Sequence, residues 1–363
     1  MYPVLQYFVV PFIHGVVLTL VLLLCVAYLT FMERKVIAFM QVRIGPNRVG
    51  PRGLLQPIAD VVKLLIKEDL TPDAANRFVF YIAPVIATLS TIAAFAVIPY
   101  GGPEATVHVF GFPIRPYIAD VNVGILYVIS ISSIGVFGIV LGGWASNSKY
   151  PLLGGLRSAA QMISYEVPFG LAIIGVLMVT GTASLVEIVQ WQQQHTWLFW
   201  LQPFAVVLFF IAGVAENNRA PFDLPEAESE LVAGFHTEYS GFKFAFFFLA
   251  EYIAMIVVSA LVVTLFFGGW LPITLGLGHL FPRVPSLLSG AWGGPWVMLL
   301  AGMGWVFVKI FLMLYLYLWI RATFPRYRYD QLMNLGWRFM IPASLVWIVL
   351  TGAGILAFQA IRS

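Results

Sequence analysis

Long apolar runs separated by short polar stretches dominate the chain. Eight of them, at about 4–31, 77–99, 122–143, 158–180, 199–215, 242–267, 297–320 and 337–359, set its pattern. A bilayer core needs about 20 apolar residues per helix. The runs reach that length without residue-by-residue alternation, so they predict membrane helices rather than barrel strands. The first run carries no basic segment ahead of it and is about twice as long as a signal-peptide core, which predicts a retained first span. The expected fold is all-α and integral to the membrane. It is one polytopic domain over 1–363, with eight transmembrane helices, an interfacial amphipathic helix in the loop at 32–76 and a long structured loop at 216–241.

Composition supports this pattern. Sixty per cent of the 363 residues are apolar and 10% are charged, against about 25% charged in a soluble domain, and the mean hydropathy is +0.90. Cys25 is the single cysteine, so the chain cannot by itself build a disulfide scaffold, an iron–sulfur cluster or a cysteine zinc site. The net charge of +3 points to no nucleic-acid partner. The five histidines show no pairing suited to haem. There is also no phosphate-binding glycine motif and no assembled Ser/Cys/His triad, so no bond-making chemistry is legible and no metal site is expected.

Basic residues set the orientation. Sixteen of the twenty fall in the loops after odd-numbered spans, and Arg115, Arg283 and Arg362 fall on the other side. Those odd-numbered loops are therefore expected to be cytoplasmic, and they carry the information. In the first, Arg34 precedes a turn-rich block, Gly45-Pro46-Asn47-Arg48-Val49-Gly50-Pro51, which follows Arg43. The arginines either anchor to lipid phosphate or are held toward a polar headgroup or a partner protein. In 54–67, Gln56, Asp60, Lys63 and Lys67 form one polar helical stripe among apolar residues. A helix of that kind lies in the interface, with Asp60 either solvated or functional.

The second loop holds Glu216, Asp223, Glu226, Glu228, Glu230 and Glu238, six of the seventeen acids. Asp223-Leu224-Pro225-Glu226 predicts a helix start, and acids near a helix N-terminus can simply satisfy its dipole. That accounts for Glu226 and Glu228 but not for the group, which suits proton or cation handling or a basic partner. His236 within this loop could accept a proton. Inside the spans, Glu166, Glu251 and Lys309 join Glu216 as expensive ionisable groups. Two readings stand: an internal pair such as Glu251 with Lys309 as counter-ion, or a chain of protonatable sites in hydrated pockets.

Taken in order, Gly45–Pro51, Leu55-Gln56-Pro57, Ser164-Tyr165-Glu166, Ala220–Glu228, Gly234–Ser240 and Arg326–Gln331 resemble one family of membrane components of the proton-pumping NADH:quinone oxidoreductase, respiratory complex I. It is the H-type family, whose mitochondrial member is numbered 1. The likeness covers essentially the whole chain. It implies a membrane-arm component, without haem, flavin or iron–sulfur cluster of its own, beneath the soluble arm. Its loops would help to close a quinone cavity between span one and the interfacial helix, with Arg34, Arg43, Arg48, Asp60, Phe222 and Asp223 in that region. It also implies a proton relay through Glu166, Glu216, Glu226, Glu228, Glu230 and Glu251, and spans two to six resembling an antiporter half-channel. The implied partners are the other membrane-arm subunits, the soluble subunits at the quinone site, quinone and membrane lipids. The implied place is a bacterial plasma (inner) membrane, or the mitochondrial inner membrane for an organellar chain. Ser132-Ser133 stands where some relatives carry a span-three carboxylate, so water or serine hydroxyls would have to serve there. The alternatives are a homologous anchor of a membrane-bound hydrogenase or formate hydrogenlyase, and a stand-alone secondary transporter, which would show broken helices at the midplane.

Overall fold

The computed structural model describes residues 8–109, 112–224, 233–274, 276 and 289–362. It is an all-α membrane protein in which seven of the described helices are long and apolar enough to cross a bilayer. Helix α1 (Val10–Met40) is followed by the short α2 (Gln56–Ile66), then α3 (Arg77–Phe95), α4 (Gly124–Ala145) and α5 (Lys149–Thr180). Three shorter pieces come next: α6 (Leu185–Gln194), α7 (Leu198–Leu201) and α8 (Pro203–Glu216). The chain closes with α9 (Gly241–Phe266), α10 (Gly294–Thr323), α11 (Tyr329–Asn334) and α12 (Ile341–Arg362). One small hairpin, Val107–Val109 against Phe112–Ile114, joins α3 to α4.

The expected eighth span is α8, and it is short. Its 14 residues rise about 21 Å against a hydrocarbon core of about 30 Å. Pro203 removes a backbone donor at its start, and the Gln202 side chain holds the break, accepting from Trp347 Nε1 and donating to Thr351 Oγ1 at 3.1 Å. Helix α1 runs the opposite way, continuing nine residues beyond the end of its apolar run at 31 because no glycine or proline interrupts it before Gly45. The last span contains a π-helical stretch, Leu335–Met340, just before Pro342. Proline cannot donate and crowds the carbonyl four residues back, and a widened turn relieves both.

The core is centred on α9, whose residues from Tyr252 to Phe266 are almost all buried, with α3, α8 and α10 packed against the helix. Close approach depends on small residues, as in other membrane bundles. A Cβ on Gly138 of α4 would stand 2.7 Å from the Ala87 nitrogen of α3. Lys243, at the start of α9, is buried and bonds Asp69 at 2.8 Å, Thr71 Oγ1 at 2.7 Å and the Leu70 carbonyl at 3.1 Å. It thereby fastens the segment after α2 to the bundle.

Lys309 corrects an expectation. Glu251 lies sixteen residues before Phe267, about 24 Å along α9, and Lys309 is at the far end. Its ammonium donates to the carbonyls of Phe267, Gly269 and Leu271 at 2.7, 2.9 and 2.6 Å. Phe267 is the residue that ends α9, and Gly269 and Leu271 belong to the turn that follows it. Gln192 caps the same end through Thr264 and Leu265. Lys309 is thus the cap of α9 and not the counter-ion of Glu251. Lys309→Met should destabilise the fold by about 3 kcal/mol, since charged hydrogen bonds are worth about 1.5–3 kcal/mol. A lowered unfolding midpoint of the detergent-solubilised protein, not rescued by adding Glu251→Gln, is the expected measurement.

Candidate functional site: a buried ion network and an open basic cleft

Three helices and one loop bring their charges to one place near the end of α8. The loop is held there by Gln161 of α5, fully buried, whose Nε2 donates to the carbonyls of Ala215 and Phe222, both at 2.8 Å. Asn218 adds a 2.7 Å bond to Ser158. These contacts turn Arg219 inward until it is only 5% exposed. Its guanidinium is ion-paired with Glu251 of α9 and lies 3.6 Å from Glu33 of α1. It also stacks 4.2 Å over the Tyr252 ring. Glu33 is 6% exposed, pairs with Arg321 of α10, and accepts a 2.7 Å bond from the Tyr252 hydroxyl. Two acids and two arginines thus alternate in a low-dielectric region, where an unpaired charge would cost several kcal/mol.

Beside this network lies a cavity of about 90 Å³, walled by Glu216, Glu251, Asn217, Asn218, Ser132 and His236 among others. It is large enough for a few waters, each of which occupies roughly 30 Å³ in the liquid. Glu166 of α5 accepts a hydrogen bond from Ser133 of α4 and is close enough to Glu216 for the two charges to repel. The serine at the departure from the family pattern is therefore in direct contact with the neighbouring acid. Of the expected relay residues, the structure places Glu166, Glu216 and Glu251 in one continuous neighbourhood. Glu226, Glu228 and Glu230, and the helix start expected after Asp223, lie outside the described residues.

The expected cavity residues divide into two places. Arg34, Arg43, Arg48 and Gln56 line an open cleft of about 770 Å³ at the end of α1. Asp60 of α2 joins it by accepting from Arg34 at 2.7 Å and from Gln56 at 3.1 Å, so it is a paired group and not merely a solvated one. Phe222 and Asp223 do not line that cleft. Phe222 is buried and stacks on Tyr327 at 5.4 Å, while Asp223 pairs with Arg326 at 3.3 Å. Reading the sequence for ionisable groups inside apolar runs misses Glu33, Arg219 and Arg321. Glu33 lies just past its run, and the two arginines count as loop charges. The available signal is the unbroken helical stretch from 31 to 40.

No group of three or more metal-ligating side chains occurs among the described residues. The electrostatics generate two expected outcomes. Arg219→Met leaves Glu33 and Glu251 with less compensation and should cost about 3–5 kcal/mol, seen as loss of folded protein in membranes. Adding Glu251→Gln should recover part of that loss. His236, in the loop before α9, is pushed down to about 4 by burial. Its folded value lies below the unfolded one, so its contribution to stability is complete above about pH 6.5 and is lost as pH falls toward 4. His236→Asn should flatten the thermal-stability profile across that window.

Comparison with known proteins gives a consistent result along the chain. The NADH dehydrogenase family profile matches residues 13–352. The chain is 49% identical over 359 residues, 96% of each sequence, to H subunit 2 of the NADH-quinone oxidoreductase of Geobacter metallireducens. It is 50% identical to H subunit 1 of the Geobacter sulfurreducens enzyme over 91% of this chain and 90% of that protein. It is 49% identical to the H subunit of the Rhodospirillum rubrum enzyme over 92% and 90% respectively.

Proposed function

Since this chain belongs to the NADH dehydrogenase family, among the H-type membrane subunits of NADH-quinone oxidoreductase (complex I), we propose that it helps to form the quinone cavity and couples quinone reduction to proton transfer. As a multi-pass member of an oxidoreductase complex, it has the other subunits of that complex as its partners. In this reading it contributes no redox centre and has no independent activity. Quinone is a shared substrate, lipids surround the chain, and the membrane is the bacterial plasma membrane.

One observation carries the proposal: Glu33 and Arg34 are consecutive residues of α1. They project about 100° apart around a helix of 3.6 residues per turn. Arg34 reaches the open cleft and Asp60, while Glu33 reaches Arg219 and Arg321. The cleft suits a polar headgroup, with arginines to hold it and a carboxylate in reach. Reducing a quinone to a quinol takes two electrons and two protons. A charge change in the cleft therefore acts across one peptide unit on a network that is neutral only while its acids stay ionised. Protonating Glu251 would free Arg219 to favour Glu33, and the proton could move on through the cavity to Glu216 and then Glu166. Like charges so close titrate together rather than singly. Moving one charge across 100 mV costs about 2.3 kcal/mol, within the range that burial and pairing impose on such groups.

The test is proton uptake by inverted vesicles. Glu216→Gln and Glu251→Gln should assemble yet strongly lower both quinone reduction and pumping, and Ser133→Ala should lower pumping less than either. Glu238→Gln should have a smaller effect. Electron transfer from NADH to an artificial acceptor should persist in all four. Full pumping by both Glu216→Gln and Glu251→Gln would end the relay proposal.

A further inference from the structure

Along the apolar length of α1 lies a second cavity, of about 470 Å³. Its walls are two facing stripes, Leu18, Leu22, Cys25 and Leu29 on α1 and Val306 and Ile310 on α10, with their neighbours one turn away. The cavity is about three times the size of the roughly 150 Å³ apolar cavity that takes up benzene. Among the residues lining it, only Cys25, Tyr28 and Tyr100 carry polar side-chain atoms. Water would find almost nothing to bond to there.

Its shape restricts the occupant. The α1 stripe from Leu18 to Met32 rises about 21 Å, and about 470 Å³ spread along that length leaves a narrow cross-section. It admits one extended hydrocarbon chain but no helix, whose diameter with side chains is about 10–12 Å. The mouth is polar at one end. Tyr100, which lines the cavity, hydrogen-bonds His14 and donates to the Arg115 carbonyl at 3.3 Å. Arg115 is in no ion pair among the described residues. The other end stops at Met32, one residue short of Glu33.

We propose that this α1–α10 cavity is a phospholipid site, taking one acyl chain along its length with the phosphate at the Arg115 mouth. Tail and headgroup are recognised separately, the tail by shape and dryness and the phosphate by Arg115, whose backbone is bonded to Tyr100 at the mouth and whose side chain is exposed and in no ion pair among the described residues. The chain fills the space between the two stripes and closes the apolar side of the Glu33 network against water.

The experiment uses the purified complex in bilayers of phosphatidylethanolamine containing phosphatidylglycerol with a diazirine midway along one acyl chain. After illumination, labelled peptides are mapped by mass spectrometry. Label should concentrate on 18–32 and 303–314, well above the lipid-facing surface of α12 around Val346 and Val349. Cys25→Trp and Met303→Trp, tested separately in case one fails to assemble, should each lower that label by about tenfold, the equivalent of about 1.4 kcal/mol of binding. Arg115→Gln should abolish the preference for phosphatidylglycerol over a labelled phosphatidylethanolamine, and an unchanged preference would remove the headgroup part of the proposal. Labelling no denser than on α12 would overturn the site. So would displacement of the label by excess quinone, which would make the cavity a quinone passage. Protection of both stripes with cross-links to a neighbouring protein of the complex would also overturn it, by showing that a protein covers the cavity.

Discussion

A single buried guanidinium holds one end of this helical bundle in register. Arg219 joins Glu33 of α1 to Glu251 of α9 and rests on the Tyr252 ring. Helix α1 has little other claim on the bundle, since most of its surface faces outward. Its C-terminal end is tied chiefly by Glu33, through Arg219, Arg321 and Tyr252. An ion network so poor in solvent is well balanced at only one protonation state. Adding or removing one proton leaves a charge that must find a new partner, so titration and side-chain movement are one event there.

The same economy governs the other polar groups within the bundle. Gln161 fixes the loop after α8, Gln192 and Lys309 close the end of α9, and Gln202 bridges the break before α8. Each meets backbone groups, or a break in the backbone, that lipid could not satisfy. Lys243 performs the corresponding task at the membrane surface, tying the segment after α2 to α9. Helix α2 and the acid-bearing α9 are consequently joined through that segment.

What is legible in the sequence depends on what each feature writes into it. Apolar runs of membrane length write themselves plainly, and so does the polar stripe of α2, where Asp60 stands out even without its partner Arg34. Glu33 does not, because a helix ends where the backbone is forced to turn, not where polarity begins, and α1 runs on to Met40. Lys309 invites the wrong partner because its true ones are carbonyls, which every residue possesses and no side-chain pattern marks. Arg219 looks like an ordinary loop charge. The hydrogen bonds of Gln161 and Asn218 turn it inward, and such long-range bonds leave no local trace. The shortness of α8 is hidden by the apolar residues of α7, which extend the run without extending the helix.

That short helix has an electrical consequence. The end of α8 lies at Glu216, and a helix of about 21 Å leaves roughly a third of a hydrocarbon core of about 30 Å to be spanned by non-helical chain carrying Asn217, Asn218 and Arg219. Polar matter of this kind is more polarisable than lipid, so the transmembrane voltage falls mainly over the thinner apolar layer that remains. The field within that layer is steeper than the average across the bilayer. A charge crossing that layer therefore does most of its electrical work there, beyond the end of α8.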